Sequence, residues 1–167
     1  ILEEPTKNNF FILINNKQAE LNATISSRCL RTNIFLNTMQ KKNIIEYLLE
    51  ENKENTLIEY DGYLSPGLYF NYNKLLNKYK VDRTDNIKNK VYKLLYGYQK
   101  DKNKTIISLS VFLIEGYFHK AIRKDNVNID SLINLKSSIV NKIYYYTEYN
   151  LNIKSVISFI ELKFNNV

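Results

Sequence analysis

The chain is poor in the residues that most enzymes use for chemistry. Among 167 residues it has one cysteine, one histidine, one methionine, two prolines, four glycines and no tryptophan. A single cysteine, Cys29, excludes an intrachain disulfide and any zinc site built on paired cysteines. It also fits a reducing compartment. A single histidine, His119, leaves no clustered imidazoles for a metal, and its place beside Phe118 on an apolar stretch reads as an ordinary helix residue rather than a catalytic base. With so few glycines there is no phosphate-cradling loop and no Gly-x-Ser-x-Gly elbow. Glu59 and Asp61 with Glu161-Leu162-Lys163 have no spacing that specifies a metal-dependent nuclease. No catalytic centre and no cofactor are expected.

Long apolar runs are also missing. No window approaches the roughly 18 to 20 uninterrupted apolar residues of a membrane span, and no signal-like block opens the chain. The expectation is a soluble protein of nucleus or cytoplasm, including the cytoplasm of an infected host cell, with no membrane partner. The chain opens at Ile1 rather than Met and is read with the allowance that it is an excised piece of a longer protein. Asn22-Ala23-Thr24 is formally a glycosylation sequon, but such triplets arise by chance in an Asn-rich chain.

What is abundant is basic and aromatic. Lys and Arg number 24 against 17 Asp and Glu, giving +7 at pH 7, and 44% of residues are hydrophobic, enough for a one-domain core. A positive field attracts phosphate polyanions. An A/T-rich genome, which also favours Asn, Ile and Tyr, produces the same excess without any such role. The excess is concentrated: from Lys74 to Lys93 there are seven basic residues (Lys74, Lys78, Lys80, Arg83, Lys88, Lys90, Lys93) against Asp82 and Asp85. Tyr69, Tyr72, Tyr79, Tyr92, Tyr96 and Tyr98 interleave with them, a mixture that suits either base stacking or a tyrosine-rich core. In Tyr144-Tyr145-Tyr146 three consecutive rings cannot share one helical face, so at least one is expected outside, available to an interface.

Along the chain, Phe10 to Ile14 reads as a strand followed by a turn at Asn15-Asn16-Lys17. Leu21 to Leu36 reads as two short helices or a helix and turn, with Asn22 and Thr24 as capping residues. Thr38 opens a helix striped by Met39, Ile44, Ile45, Leu48 and Leu49. Thr56 to Tyr60 and Tyr63 to Leu64 flank Asp61-Gly62, which suits a tight hairpin ended by Ser65-Pro66-Gly67. Leu68 to Tyr79 is expected to be helical, and a further helix capped by Thr84 or Asp85 runs through Ile87, Val91 and Leu95 towards Lys100-Asp101-Lys102. That charged run is the internal boundary, separating a core over 1–98 from a helical extension over 99–167 packed on it as one unit. In the extension, Thr105 to Ile122 is a buried central helix. Leu132 to Tyr146 is a second helix, and Ile153 to Phe164 is a helix or a strand.

The order of Asn22-Ala23-Thr24, a basic amphipathic stretch, Gly62-Tyr63-Leu64 and the helical pattern Leu75-Leu76-x-x-Tyr79 resembles the KilA-N/APSES group of DNA-binding domains of viruses, phages and fungal regulators. The resemblance spans residues 10–97. In that group Asn-Ala-Thr opens the first helix and a hairpin wing carries Gly-Thr-Trp, where this chain has Gly62-Tyr63-Leu64. The resemblance implies an α+β fold: an N-terminal strand and a small β-hairpin wing with helices, extended by a C-terminal helical layer. It implies a winged-helix-like, non-catalytic module that binds double-stranded DNA in a regulatory or architectural role. Candidate phosphate contacts are Arg28 and Arg31, three apart and able to share a helical face, Lys41 and Lys42 at the start of the next helix, and Lys53 near the wing. Glu50, Glu51, Glu54, Glu59 and Asp61 oppose phosphate there. The competing expectation is a helical protein-interaction module. It would be a viral Bcl-2-like bundle around Ile106 to Ile122, or an adaptor on a KilA-N/APSES-like core, binding a partner protein or dimerising through the tyrosine-rich C-terminal helices.

Overall fold

A computed structural model describes residues 11–15, 21–60, 62–123 and 128–165. The chain divides into two compact units, Ile1–Asn37 and Thr38–Val167. In the first, the only regular element among the described residues is α1 (Ala23–Ser26), one turn of helix. Asn22 is its N-cap, accepting a hydrogen bond from the Thr24 amide at 3.4 Å, whereas Thr24 itself lies inside the turn. Residues 30–37 are irregular.

The described residues of the second unit form six helices: α2 (Thr38–Asn52), α3 (Pro66–Lys78), α4 (Ile87–Asp101), α5 (Lys104–Ile122), α6 (Ile129–Glu148) and α7 (Ile153–Phe164). Four of their starts use asparagine. Asn86, Asn103, Asn128 and Asn152 each cap a helix, accepting the amide of Asn89, Thr105, Ser131 and Lys154 respectively. This satisfies first-turn donors that otherwise have no partner. Ser65 caps α3 in the same way, with Pro66 in the first turn where its missing N–H costs nothing. Of the four helix ends followed by a left-handed residue other than glycine among the described residues, two close alike. Lys53 (φ 53°) follows α2 and Lys80 (φ 53°) follows α3. In each case the next amide bonds back into the helix, Glu54 to Leu49 at 3.1 Å and Val81 to Leu76 at 2.9 Å, a Schellman closure.

Helices α4 to α7 form a closed ring in which each packs on its neighbours in sequence and α7 returns to α4. Ring contacts fix the directions. Tyr98 near the end of α4 meets Tyr146 near the end of α6, centroids 5.6 Å apart. At the other end, Phe118 of α5 stacks on Phe164 of α7 at 5.9 Å, and Lys88 at the start of α4 reaches Asn165 just past α7. The four helices therefore alternate in direction as an up-down-up-down bundle. Val91, Leu94, Leu95, Ile106, Leu109, Ile114, Phe118, Ile139, Ile143, Val156 and Ile160 are sealed from water in its core. α3 is added to this core through Tyr72 and Leu76, and Tyr72 meets Phe112 of α5 at 5.5 Å. Gly97 admits α3's neighbour Tyr79: a Cβ at that position would stand 2.5 Å from the Tyr79 ring. α5 is long and apolar enough by composition to cross a membrane, the one such helix among the described residues. Here its apolar residues fill the bundle.

This architecture corrects the α+β expectation: the described residues contain no strand. Residues 11–14 are irregular, while Phe10 and the turn residues Asn16 and Lys17 lie outside the described residues. The hairpin wing is not formed either, so the winged-helix-like reading falls with it. Asp61 lies outside the described residues, but the physical reason is visible around it. The buried carboxamide of Asn73 on α3 accepts from the Leu57 amide at 2.7 Å and the Ile58 amide at 3.4 Å. The Tyr69 hydroxyl donates to the Ile58 carbonyl at 2.7 Å. Groups that a β-ladder would pair are bonded to α3 instead. Ser65-Pro66, expected to end a hairpin, begins a helix. Ile153–Phe164 is helical, and the boundary expected at 98/99 falls inside α4.

Candidate functional site

The basic residues fall into three groups. Arg28 and Arg31 do not share a helical face, because α1 stops at Ser26. Both are exposed, and the Arg31 guanidinium donates to the Ser26 hydroxyl. Lys41 and Lys42 sit together near the start of α2. There the Lys41 ammonium donates to the Gly62 carbonyl at 3.3 Å, while Lys42 is exposed. Lys53 is exposed at the far end of the same helix. Eleven residues of helix hold it about 16 Å along the axis from Lys42. The structure thus joins Lys41 with Lys42 and separates Lys53 from both.

The concentrated basic segment from Lys74 to Lys93 is largely neutralised within the fold. Lys78 pairs with Asp101, Arg83 lies 3.7 Å from Glu59, and Lys93 pairs with Asp85 at 2.5 Å while also donating to the Lys80 carbonyl at 2.8 Å. Lys90 donates to the Arg83 carbonyl at 3.0 Å and Lys88 to Asn165. The hydrogen bond from Lys93 holds the Asp85 carboxyl below the usual range, and that from Lys78 does the same for Asp101. Lys74 and Lys80 are exposed and make no ion pair among the described residues. The interleaved tyrosines serve the core more than a surface: Tyr69, Tyr72 and Tyr98 are buried, and only Tyr96 of the six is exposed. Burial, with the Glu161 carboxylate nearby, pushes the Tyr92 phenol up to about 12. In the C-terminal triplet Tyr144 and Tyr145 are each 48% exposed and Tyr146 is 4% exposed, as helical geometry requires.

One cavity of about 560 Å³ opens between the α2–α3 connection, α3 and the α4–α5 turn. Glu54, Asn71, Lys74, Leu75, Asn77, Lys78, Asn103 and Thr105 line it. Asn77 donates to Glu54 at 2.6 Å. Lys74 and Lys78 are legible in sequence as an i, i+4 pair, but nothing local reveals that Asn103 and Thr105 fold against them. Among the described residues no three His, Cys, Asp or Glu side chains gather as metal ligands. His119 is exposed on the last turn of α5.

The second distinctive surface is apolar. Within the first unit, Ile12, Ile14, Leu30 and Ile34 are 90%, 89%, 98% and 85% exposed. On α2, Met39 and Tyr47 are exposed although the helix forms where its stripe places it, because Ile45 alone is buried. No family model matches the sequence, and neither a curated protein nor a solved structure matches it.

Proposed function

We propose that this chain is a non-catalytic protein-interaction module, a helical bundle carrying an apolar N-terminal segment that a partner protein covers. The observation that carries this reading is the exposure of Ile12, Ile14, Leu30 and Ile34. Each forgoes about 1.5–3 kcal/mol available from burial, and apolar side chains left in water on this scale are covered when a partner binds. The irregular backbone around them suits a segment that gains order on binding. The bundle supplies the stability that such a segment does not.

The test is affinity capture of the full chain from cells that express it naturally, with the double variant Leu30→Ser/Ile34→Ser beside it. A stoichiometric partner retained by the parent and lost by the variant, at unchanged circular dichroism, is expected. Equal capture by both would overturn the reading. Sedimentation velocity on the purified parent tells whether the partner is a second copy.

Binding to double-stranded DNA is the second reading. The net charge of +7 and the exposed Lys42 and Lys53 favour it. Fluorescence anisotropy of a labelled random duplex across a salt series tests it. Replacing Arg28 and Arg31 by Ala would lower the logarithmic salt slope by up to about 0.9 per lost phosphate contact. An unchanged slope removes both residues from the interface, and no binding at low salt removes the reading.

A further inference from the structure

The cavity beside α3 has the size of a small-molecule site, and its lining joins apolar wall to hydrogen-bonding groups of mixed charge. Small-molecule sites commonly enclose about 300–1,000 Å³ behind mostly apolar walls with a few polar groups, and this one encloses about 560 Å³ with slightly more apolar than polar wall. The polar part is a set of hydrogen-bonding groups of mixed charge.

The cations are arranged at a cost. Lys74 and Lys78 stand four apart on α3, a spacing at which like charges repel. Asp101 answers Lys78, and no carboxylate among the described residues answers Lys74. Lys100, Lys102 and Lys104 are carried by the adjoining α4–α5 turn and its flanks, and all three are exposed. Asn71, Asn103 and Thr105 add neutral donors. The start of α5 also lies here, but Asn103 already accepts from the Thr105 amide at 2.9 Å, so the side chains carry the argument rather than the helix end. Glu54 is the exception. One of its oxygens takes the Asn77 amide, and a carboxylate retains further acceptor capacity. A pocket meant only for phosphate has no use for it, whereas a carboxylate beside phosphate-binding groups can accept from sugar hydroxyls.

We propose that this cavity binds a small phosphorylated sugar or nucleotide, with Lys74 taking the phosphate and Glu54 accepting from the sugar hydroxyls. The site is independent of the apolar N-terminal surface, and its test does not depend on any protein partner. The full chain is titrated calorimetrically at low salt with ATP, with ribose 5-phosphate and with pyrophosphate. Saturable one-to-one binding of ATP or ribose 5-phosphate is expected. Lys74→Gln, which breaks no ion pair among the described residues, should weaken it about tenfold, the value of a charge-assisted hydrogen bond. Lys120→Gln removes the same charge from the far end of α5, fifteen residues or about 22 Å along the axis from Thr105, and should change affinity less than about twofold. Glu54→Gln should weaken the sugar phosphates while strengthening pyrophosphate, since it removes an acceptor and a repelling charge together. Three results would overturn the assignment. These are no saturable binding of either sugar phosphate, equal weakening by the Lys74 and Lys120 variants, or Glu54→Gln strengthening all three ligands alike.

Discussion

The bundle α4–α7 and the N-terminal segment 11–36 are both rich in isoleucine and leucine, yet they treat those residues oppositely. In the bundle the apolar positions recur at helical spacing, and Leu94, Ile106, Ile114, Ile139 and Ile160 are fully sealed. In the segment, Ile12, Ile14, Leu30 and Ile34 face water. Hydrophobic content is therefore a poor guide to what is core. Periodicity over several turns, with a cap to start each helix, is what converts apolar residues into a sealed interior, and the described residues of the segment have one turn of helix to offer.

The sharpest way to press this contrast is to damage the bundle. Phe118 is fully buried against Tyr117 and Phe164, and Phe118→Ala should cost about 3–5 kcal/mol, read as a lower urea midpoint with cooperative unfolding retained. Next comes the strap between α2 and α3. Asn73→Ala leaves the Leu57 and Ile58 amides without their acceptor and should cost about 2–3 kcal/mol, with faster amide exchange confined to residues 56–60. A strap held by its own hairpin would lose much less.

Those two sites also mark how far sequence reaches. The helical stripes from Leu68 onwards were legible because each is built from contacts within a few residues and closed by nearby caps. The asparagines that make those caps were hidden in plain composition, since an Asn-rich chain disguises which ones matter. The expected hairpin failed for a non-local reason: Asp61-Gly62 and the flanking Thr56 to Tyr60 are sound local signals, but Asn73 claims the backbone from a neighbouring helix. The basic segment was legible as charge but not as paired charge, because Asp101 and Glu59 come from other elements. For the candidate cavity, the lysine pair was visible and the facing turn was not.

Smaller effects refine the comparison. The Tyr92 hydroxyl is buried without a hydrogen-bond partner among the described residues, and its folded pKa of about 12 exceeds the unfolded value of about 10. Its contribution is fully present below pH ~10 and is lost as pH rises towards the folded value. Absorbance at 295 nm against ellipticity should show its ionisation coinciding with unfolding of the bundle. Lys80→Gly relieves a left-handed backbone and should stabilise by about 1 kcal/mol, read as a raised melting temperature. Smallest of all, Leu30→Ser with Ile34→Ser should shift stability by less than about 0.5 kcal/mol, because neither side chain contributes to a core.

The most direct measurement is hydrogen exchange of the free monomeric chain, resolved by segment. Amides of α4 to α7 should exchange only through global opening, and those of residues 21–36 should exchange orders of magnitude faster. Protection of residues 21–36 comparable to that of α5 would contradict the account, because their apolar side chains would then already be covered within the chain and would have no need of a partner.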